Sequence, residues 1–181
     1  RSGAKLTTQL LGYARKGRYV VRPLDLNRMV KNLGDAFART RKNILIRYQL
    51  AENLQTVSGD QGQLEQVLMN LLVNASDAMP TGGELNLKSR NVSRSDITDT
   101  VYNPKSRPYV ELTATDTGIG MERDIQERIF EPFFTTKELG RGTGLGLASV
   151  YGIIKGHNGY IDVQSRKGKG TTFTILLPTT G

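Results

Sequence analysis

Gly140–Val150, written GRGTGLGLASV, constrains this chain more than any other stretch. Glycines at 142, 144 and 146 alternate with Thr143 and Leu145. An apolar run at helical spacing follows through Leu145, Leu147, Val150, Ile153 and Ile154. Glycine lets a backbone turn through positive φ and approach a ligand with no Cβ in the way. A helix start behind such a loop adds unpaired N–H donors and the positive end of the macrodipole, which together make an anion site. A flexible glycine turn without a ligand is the competing reading. The choice depends on what other stretches suit the same ligand.

Two do. Asp60 with Gln63 forms a capping-box pattern, and Pro80-Thr81-Gly82-Gly83 stops the helix that it opens. At about 100° per residue, Gln66, Asn70, Asn74 and Asp77 fall within roughly 80° of one another. Leu64, Val67, Leu68, Leu71, Ala75 and Ala78 fill the adjoining apolar arc. Farther on, a β-branched and apolar run over Tyr109–Thr115 leads into Asp116, Gly118 and Gly120. Taken singly, an asparagine pair can be merely solvated and an aspartate before glycine is an ordinary turn former. Taken together the pieces suit ATP. An Asn carbonyl is a hard-oxygen ligand for Mg²⁺. A carboxylate at a strand end accepts from the adenine amine and repels a guanine carbonyl, while loop amides hold phosphate oxygens. Neither a P-loop nor a G-x-G-x-x-G fingerprint is present, which excludes those two nucleotide folds.

The remaining elements alternate between helix and strand. Leu6, Leu10, Leu11 and Ala14 lie on one helical stripe, interrupted at Gly17 and Pro23. Asp25 is placed to cap a helix to about Arg39, with Leu26, Met29, Val30, Leu33 and Phe37 inward. Ile44–Leu50 and Glu84–Val92 alternate as strands, with a short one near Thr56–Val57 and a loop over 93–108. Glu122–Phe130 reads as a short helix. Tyr160–Ser165 and Thr171–Leu177 close the chain as strands joined by a hairpin-like turn at Arg166–Gly170. Residues 135–143, rich in Gly and Thr, are expected to move most without nucleotide. At 181 residues the chain is one domain, or one domain with an appendage.

Composition narrows the chemistry. There is no cysteine, which excludes disulfides and thiolate metal sites, and one histidine leaves little room for a triad. That residue, His157, falls at a helix end and is expected to be a C-terminal cap or a surface group. The net charge of +8 is concentrated in residues 1–50, with 12 Lys/Arg against Asp25 and Asp35. This arm lacks aromatic interleaving, a zinc pattern or a helix-turn-helix, so no nucleic-acid partner is expected. A solvated helical face, or a surface for an acidic partner, is the expectation instead.

The order of motifs resembles a known family: the asparagine helix, D-x-G-x-G, F-E-P-F-F, G-x-G-x-G and G-T-x-F are those of the catalytic ATP-binding domain of bacterial sensor histidine kinases. That domain shares an ATPase superfamily with gyrase, the ninety-kilodalton heat-shock chaperone and the mismatch-repair clamp. The resemblance covers about residues 22–178 and implies an α/β two-layer sandwich. Its mixed, mostly antiparallel sheet would carry about three helices on one face and an ATP lid between the F-box and the glycine loop. It implies Asn74 as the Mg²⁺ ligand, Asn70 near the phosphates, and Asp116 reading adenine beside Gly118 and Gly120. Phe130, Phe133 and Phe134 would anchor the lid, Gly142, Thr143, Gly144, Leu145 and Gly146 would hold phosphate, and Thr171 would share a water with Asp116 and adenine.

This chain departs from the pattern twice. Asp77 stands where many relatives have a lysine, and Thr135 where many have a lid arginine; Lys137 or Arg141 is the candidate replacement cation. Clamp ATPases of the superfamily place a glutamate one turn before the Mg²⁺ asparagine to activate water. Here that position is Asn70, which cannot act as a base. The reading is therefore phosphoryl transfer to a histidine outside this chain, with an ATP-gated clamp or a binding scaffold as the alternatives. Residues 1–21 would be the end of a dimerisation and phosphotransfer hairpin helix, and 22–181 the catalytic domain. The implied partners are that hairpin and a response regulator receiver domain. The chain begins at Arg1 and reads as a piece of a longer protein, itself monomeric and cytoplasmic, whose parent is a homodimer in the cytoplasm or inner membrane.

Overall fold

The computed structural model describes residues 19–93, 108–134 and 146–180. Within them the order is β1 (Arg22–Leu24), α1 (Leu26–Thr40), β2 (Ile44–Leu50), β3 (Val57–Gly59), α2 (Gln61–Asp77), β4 (Gly83–Val92) and β5 (Tyr109–Asp116). Then come α3 (Arg123–Gln126), α4 (Gly146–Gly156), β6 (Tyr160–Arg166) and β7 (Gly170–Pro178). Residues 1–18 of the appendage expected over 1–21, most of the 93–108 loop, and the segment 135–145 lie outside the described residues.

Five strands form one mixed sheet in the order β2-β4-β5-β7-β6, in which β2 runs parallel to β4 and every other pair is antiparallel. Period-two alternation decides its inner face. Leu85 and Leu87 of β4, Leu112 and Ala114 of β5, and Phe173 and Ile175 of β7 all point into one core. The register sets Leu112 opposite Ile175 and Ala114 opposite Phe173, so these layers stack. Helices α1, α2 and α4 cover that face through Met29, Val30 and Phe37, Leu64 to Ala75, and Val150 with Ile154. Val150 and Ile154 are fully buried, each worth about 1.5–3 kcal/mol of apolar transfer as an upper bound. The opposite face is polar along most of its length, with Val92, Tyr109 and Leu176 in a small cluster at one end.

Local chemistry sets the boundaries of the long helices. Asp25 accepts from Arg28 N at 3.1 Å to start α1, and Asp60 Oδ1 accepts from Gln63 N at 2.9 Å to start α2. The reciprocal half of the expected capping box is not made by Gln63, because Asp60 N donates to His157 Nε2 at 3.0 Å. Two other expectations are corrected. Pro23 does not simply break the chain but sits in β1, which pairs antiparallel with β3 as a separate two-stranded sheet; a proline is tolerated in so short an edge strand. The helix expected over Glu122–Phe130 spans only Arg123–Gln126 and buries none of its residues. With no apolar face of its own to hold further turns, the chain bends instead and turns Phe130 toward Phe173 and Tyr151.

Candidate functional site

The packing of α2 against α4 aligns the polar stripe with the start of α4. Gln66 Nε2 donates to Ser149 Oγ at 2.9 Å, Asn70 Nδ2 to Gly146 O at 3.2 Å, and Asn74 Nδ2 to Asn70 O at 2.7 Å. Each asparagine therefore has its amide nitrogen committed to a backbone carbonyl, which can only accept, and this fixes the orientation of the group. Neither carbonyl oxygen takes a hydrogen bond among the described residues, and Asn70 Oδ1 lies 3.8 Å from where a Gly146 Cβ would stand. A Cβ built on Gly146 would point at Asn70 Cγ, 3.8 Å away, and at Asn74 Nδ2, 4.0 Å away. Bare backbone at the start of α4 thus faces two asparagine side chains. Asp77 is exposed in the last turn of α2.

Asp116 ends β5 and is 5% exposed. Its Oδ1 accepts from Gly118 N at 2.8 Å and from Thr171 N at 3.3 Å, while no bond to Oδ2 is made among the described residues. Burial pushes its carboxyl up from the ordinary value, and the two amide bonds offset this only in part. Thr171 is buried, and its Oγ1 lies 2.7 Å from Ser165 Oγ. The Ser165 hydroxyl accepts from Met121 N and donates to Gly170 O, so Thr171 supplies the proton in that contact. Lone pairs on Thr171 Oγ1 stay available beside Asp116.

The two halves meet at the end of α2. Ala78 N donates to Asn74 O at 3.0 Å, and Ile119 N donates to Ala78 O at 2.9 Å. Gly118 is packed so closely here that a Cβ would lie 2.5 Å from Ala78 O. Gly120 has φ 69° and abuts the Arg166 carbonyl of the β6–β7 turn, a place no side chain can occupy. The D-x-G-x-G turn therefore joins α2, β5 and the β6–β7 hairpin. Phe130 packs at 5.4 Å from Tyr151 and 6.4 Å from Phe173 between ring centroids, whereas Phe133 is half exposed and Phe134 lies under the Arg128 guanidinium at 4.5 Å. Lys137, Arg141, Gly142, Thr143, Gly144 and Leu145 lie outside the described residues, as do Thr135 and the motion expected of 135–143.

Some contributors were not marked by the sequence. Gln126 clasps Ser165, its Oε1 accepting from Ser165 N and its Nε2 donating to Ser165 O. No periodicity pairs residues so far apart in the chain. His157 is not a surface group: it is 5% exposed, and Nδ1 lies 2.8 Å from Ile153 O in the last turn of α4. It does cap that helix, as expected, but in the interior. Among the described residues no cluster of three His, Cys, Asp or Glu could hold a metal. No helix among them is long and apolar enough to cross a membrane.

The two-layer α/β unit thus places a buried acid at a strand end and paired asparagines opposite a helix start. The chain belongs to the histidine kinase-, DNA gyrase B- and HSP90-like ATPase family, whose model matches residues 59–181. It is 47% identical over 179 residues to the sensor kinase CckA of Brucella abortus, covering 97% of this chain and 19% of that protein. The catalytic domain of histidine kinase ThkA superposes with a TM-score of 0.71 at 28% identity, covering 90% of this chain and 99% of that one. Full-length ShkA in complex with AMPPNP gives 0.70 at 26% identity, covering 97% of this chain and 35% of that one. The chain is thus an ATP-binding domain of the sensor histidine kinase type, and its relatives are named as sensor and sporulation kinases.

Proposed function

We propose that this chain binds Mg·ATP and offers the γ-phosphate to a histidine on a separate hairpin domain, residues 1–21 being the end of that hairpin and 22–181 the catalytic domain. The observation that carries the reading is the residue one helical turn before Asn74. It is Asn70, a neutral amide tied through Nδ2 to Gly146 O, so no base stands there to activate water. Asp116 Oδ2 accepts from the adenine amine, Gly118 and Gly120 shape the turn beside the base, and Thr171 holds a water between them. Gly142 to Gly146 and the first amides of α4 take the phosphates, Asp77 contributes to nucleotide binding, Lys137 supplies a cation, and Phe130 and Phe134 anchor the lid.

The donor set fits Mg²⁺ in one respect that matters: Asn74 presents a hard carbonyl oxygen, and the absence of a carboxylate cluster among the described residues leaves the remaining ligands to phosphate and water. When bound, the ion would neutralise phosphate charge. The chain's own residues hold the nucleotide and leave its terminal phosphate unattacked. The proposed partners are the hairpin and a response regulator receiver domain, with a cytoplasmic location for this domain and a homodimeric parent.

The test is to titrate ATP with and without Mg²⁺, and then to follow phosphate from labelled ATP. The chain alone should bind Mg·ATP, hydrolyse it slowly and take up no label, whereas the same chain extended by its hairpin should label the histidine. Labelling of the isolated chain, or rapid turnover by it, would overturn the proposal.

A further inference from the structure

The chain enters the domain beside a buried polar node that the nucleotide site does not use. Val20 N donates to Asp60 Oδ2 at 2.7 Å, across forty residues of sequence. The Tyr19 ring meets His157 edge-on, 6.0 Å between centroids at 66°. Asp60 is 1% exposed, so this carboxylate is buried while serving two backbone amides, Gln63 N on Oδ1 and Val20 N on Oδ2. Its own amide donates to His157 Nε2. Because Ile153 O can only accept, the His157 proton is on Nδ1 and Nε2 is the acceptor. The ring is tightly seated, since a Cβ on Gly59 would fall 2.9 Å from His157 Cδ2.

This node lies at the ends of both helices that build the site. Asp60 opens α2, which carries Asn70 and Asn74 about 15–21 Å farther on at 1.5 Å per residue. His157 closes α4, whose other end, Gly146, accepts from Asn70. An N-cap aspartate needs one oxygen for its helix. The second oxygen holds the incoming segment.

We propose that Asp60 and His157 are positioning residues: they latch Tyr19–Val20 to the rear of the α2–α4 pair and so fix the direction from which the preceding hairpin reaches the γ-phosphate. The idea rests on the phosphotransfer reading above for its consequence, but not for the latch itself. Asp60→Asn is a selective probe. Its Oδ1 still caps α2, while an amide donor replaces the acceptor that faced Val20 N. Hydrogen exchange on the full chain should show the Val20 amide exchanging about tenfold faster or more, the effect of losing one bond to a charged acceptor. Exchange at Leu68 and Leu71, and the affinity for ATP, should stay within about twofold of the parent. In the hairpin-extended protein, kcat for histidine labelling should fall about fivefold or more with KM for ATP unchanged. His157→Phe should reproduce the loss, and His157→Gln, which restores an acceptor for Asp60 N, should recover it.

Unchanged Val20 exchange in Asp60→Asn would overturn the latch, and faster exchange with unchanged kcat would overturn the positioning role. A parent protein that never labels its hairpin would refute the phosphotransfer reading, and the positioning role with it, while the exchange result would still judge the latch.

Discussion

Replacing Asp116 with asparagine separates its part in the fold from its part in binding. In the folded protein Oδ1 takes both amide bonds, from Gly118 and Thr171, and no bond to Oδ2 is made among the described residues. Asparagine keeps the first oxygen and puts a donor in place of the second. The fold loses nothing by this. Burial, the largest influence, raises the folded carboxyl above its unfolded value, so stability from this group is present at low pH and is lost as pH rises through the folded value. Asparagine cannot ionise and so removes this pH-dependent cost, and the melting temperature of the variant should equal or exceed that of the parent. Binding should respond in the opposite sense. A hydrogen bond to a charged acceptor is worth about 1.5–3 kcal/mol, or about tenfold to 150-fold in Kd. The donor now facing the base opposes the adenine amine and suits the guanine carbonyl, so the preference for ATP over GTP should narrow by more than the loss in ATP affinity alone. Calorimetric titration with both nucleotides, paired with thermal melts at pH 7, measures all of this. ATP affinity equal to that of the parent would refute the reasoning. So would a melting temperature several degrees lower, which would make the loss of binding a matter of folding.

Asn74→Ala should abolish the Mg²⁺-dependent part of ATP affinity and leave binding in chelator unchanged, as titration in both conditions would show. Gly118→Ala drives a methyl into Ala78 O and should cost about 1–3 kcal/mol in denaturant unfolding. Asn70→Glu places a carboxylate one turn before Asn74 and should raise steady-state ATP hydrolysis about tenfold or more, toward the range of general-base catalysis. An unchanged rate would mean that water is not held in line at this site.

Helix α2 was legible because its signals agree: Asp60 at the start, an apolar arc at 3.6-residue spacing, and Pro80 just past the end. Strand β2 was legible for the same kind of reason, Ile44, Ile46, Tyr48 and Leu50 all facing inward. What escaped was set by partners distant in sequence. β1 is three residues long, too short to show any period, and exists because β3 pairs with it. The parallel pairing of β2 with β4 is a matter of strand order, on which alternation is silent. His157 gave no sign of burial, since only the tertiary fold brings Asp60 to its Nε2. At the site, Asn70, Asn74 and Asp116 stood out as residue types at telling positions. Ser165 and Gln126 did not, because their contribution is a hydrogen-bond network closed between β6 and a four-residue helix.

If the asparagine pair and the buried acid frame one nucleotide, both must respond to it together. An NMR titration with Mg·ATP that follows the side-chain amides of Asn70 and Asn74 together with the backbone amides of Gly118 and Thr171 tests this most directly. All four should shift along a single binding isotherm with one Kd. Signals from only one of the two groups, or two groups moving with different Kd values, would contradict it.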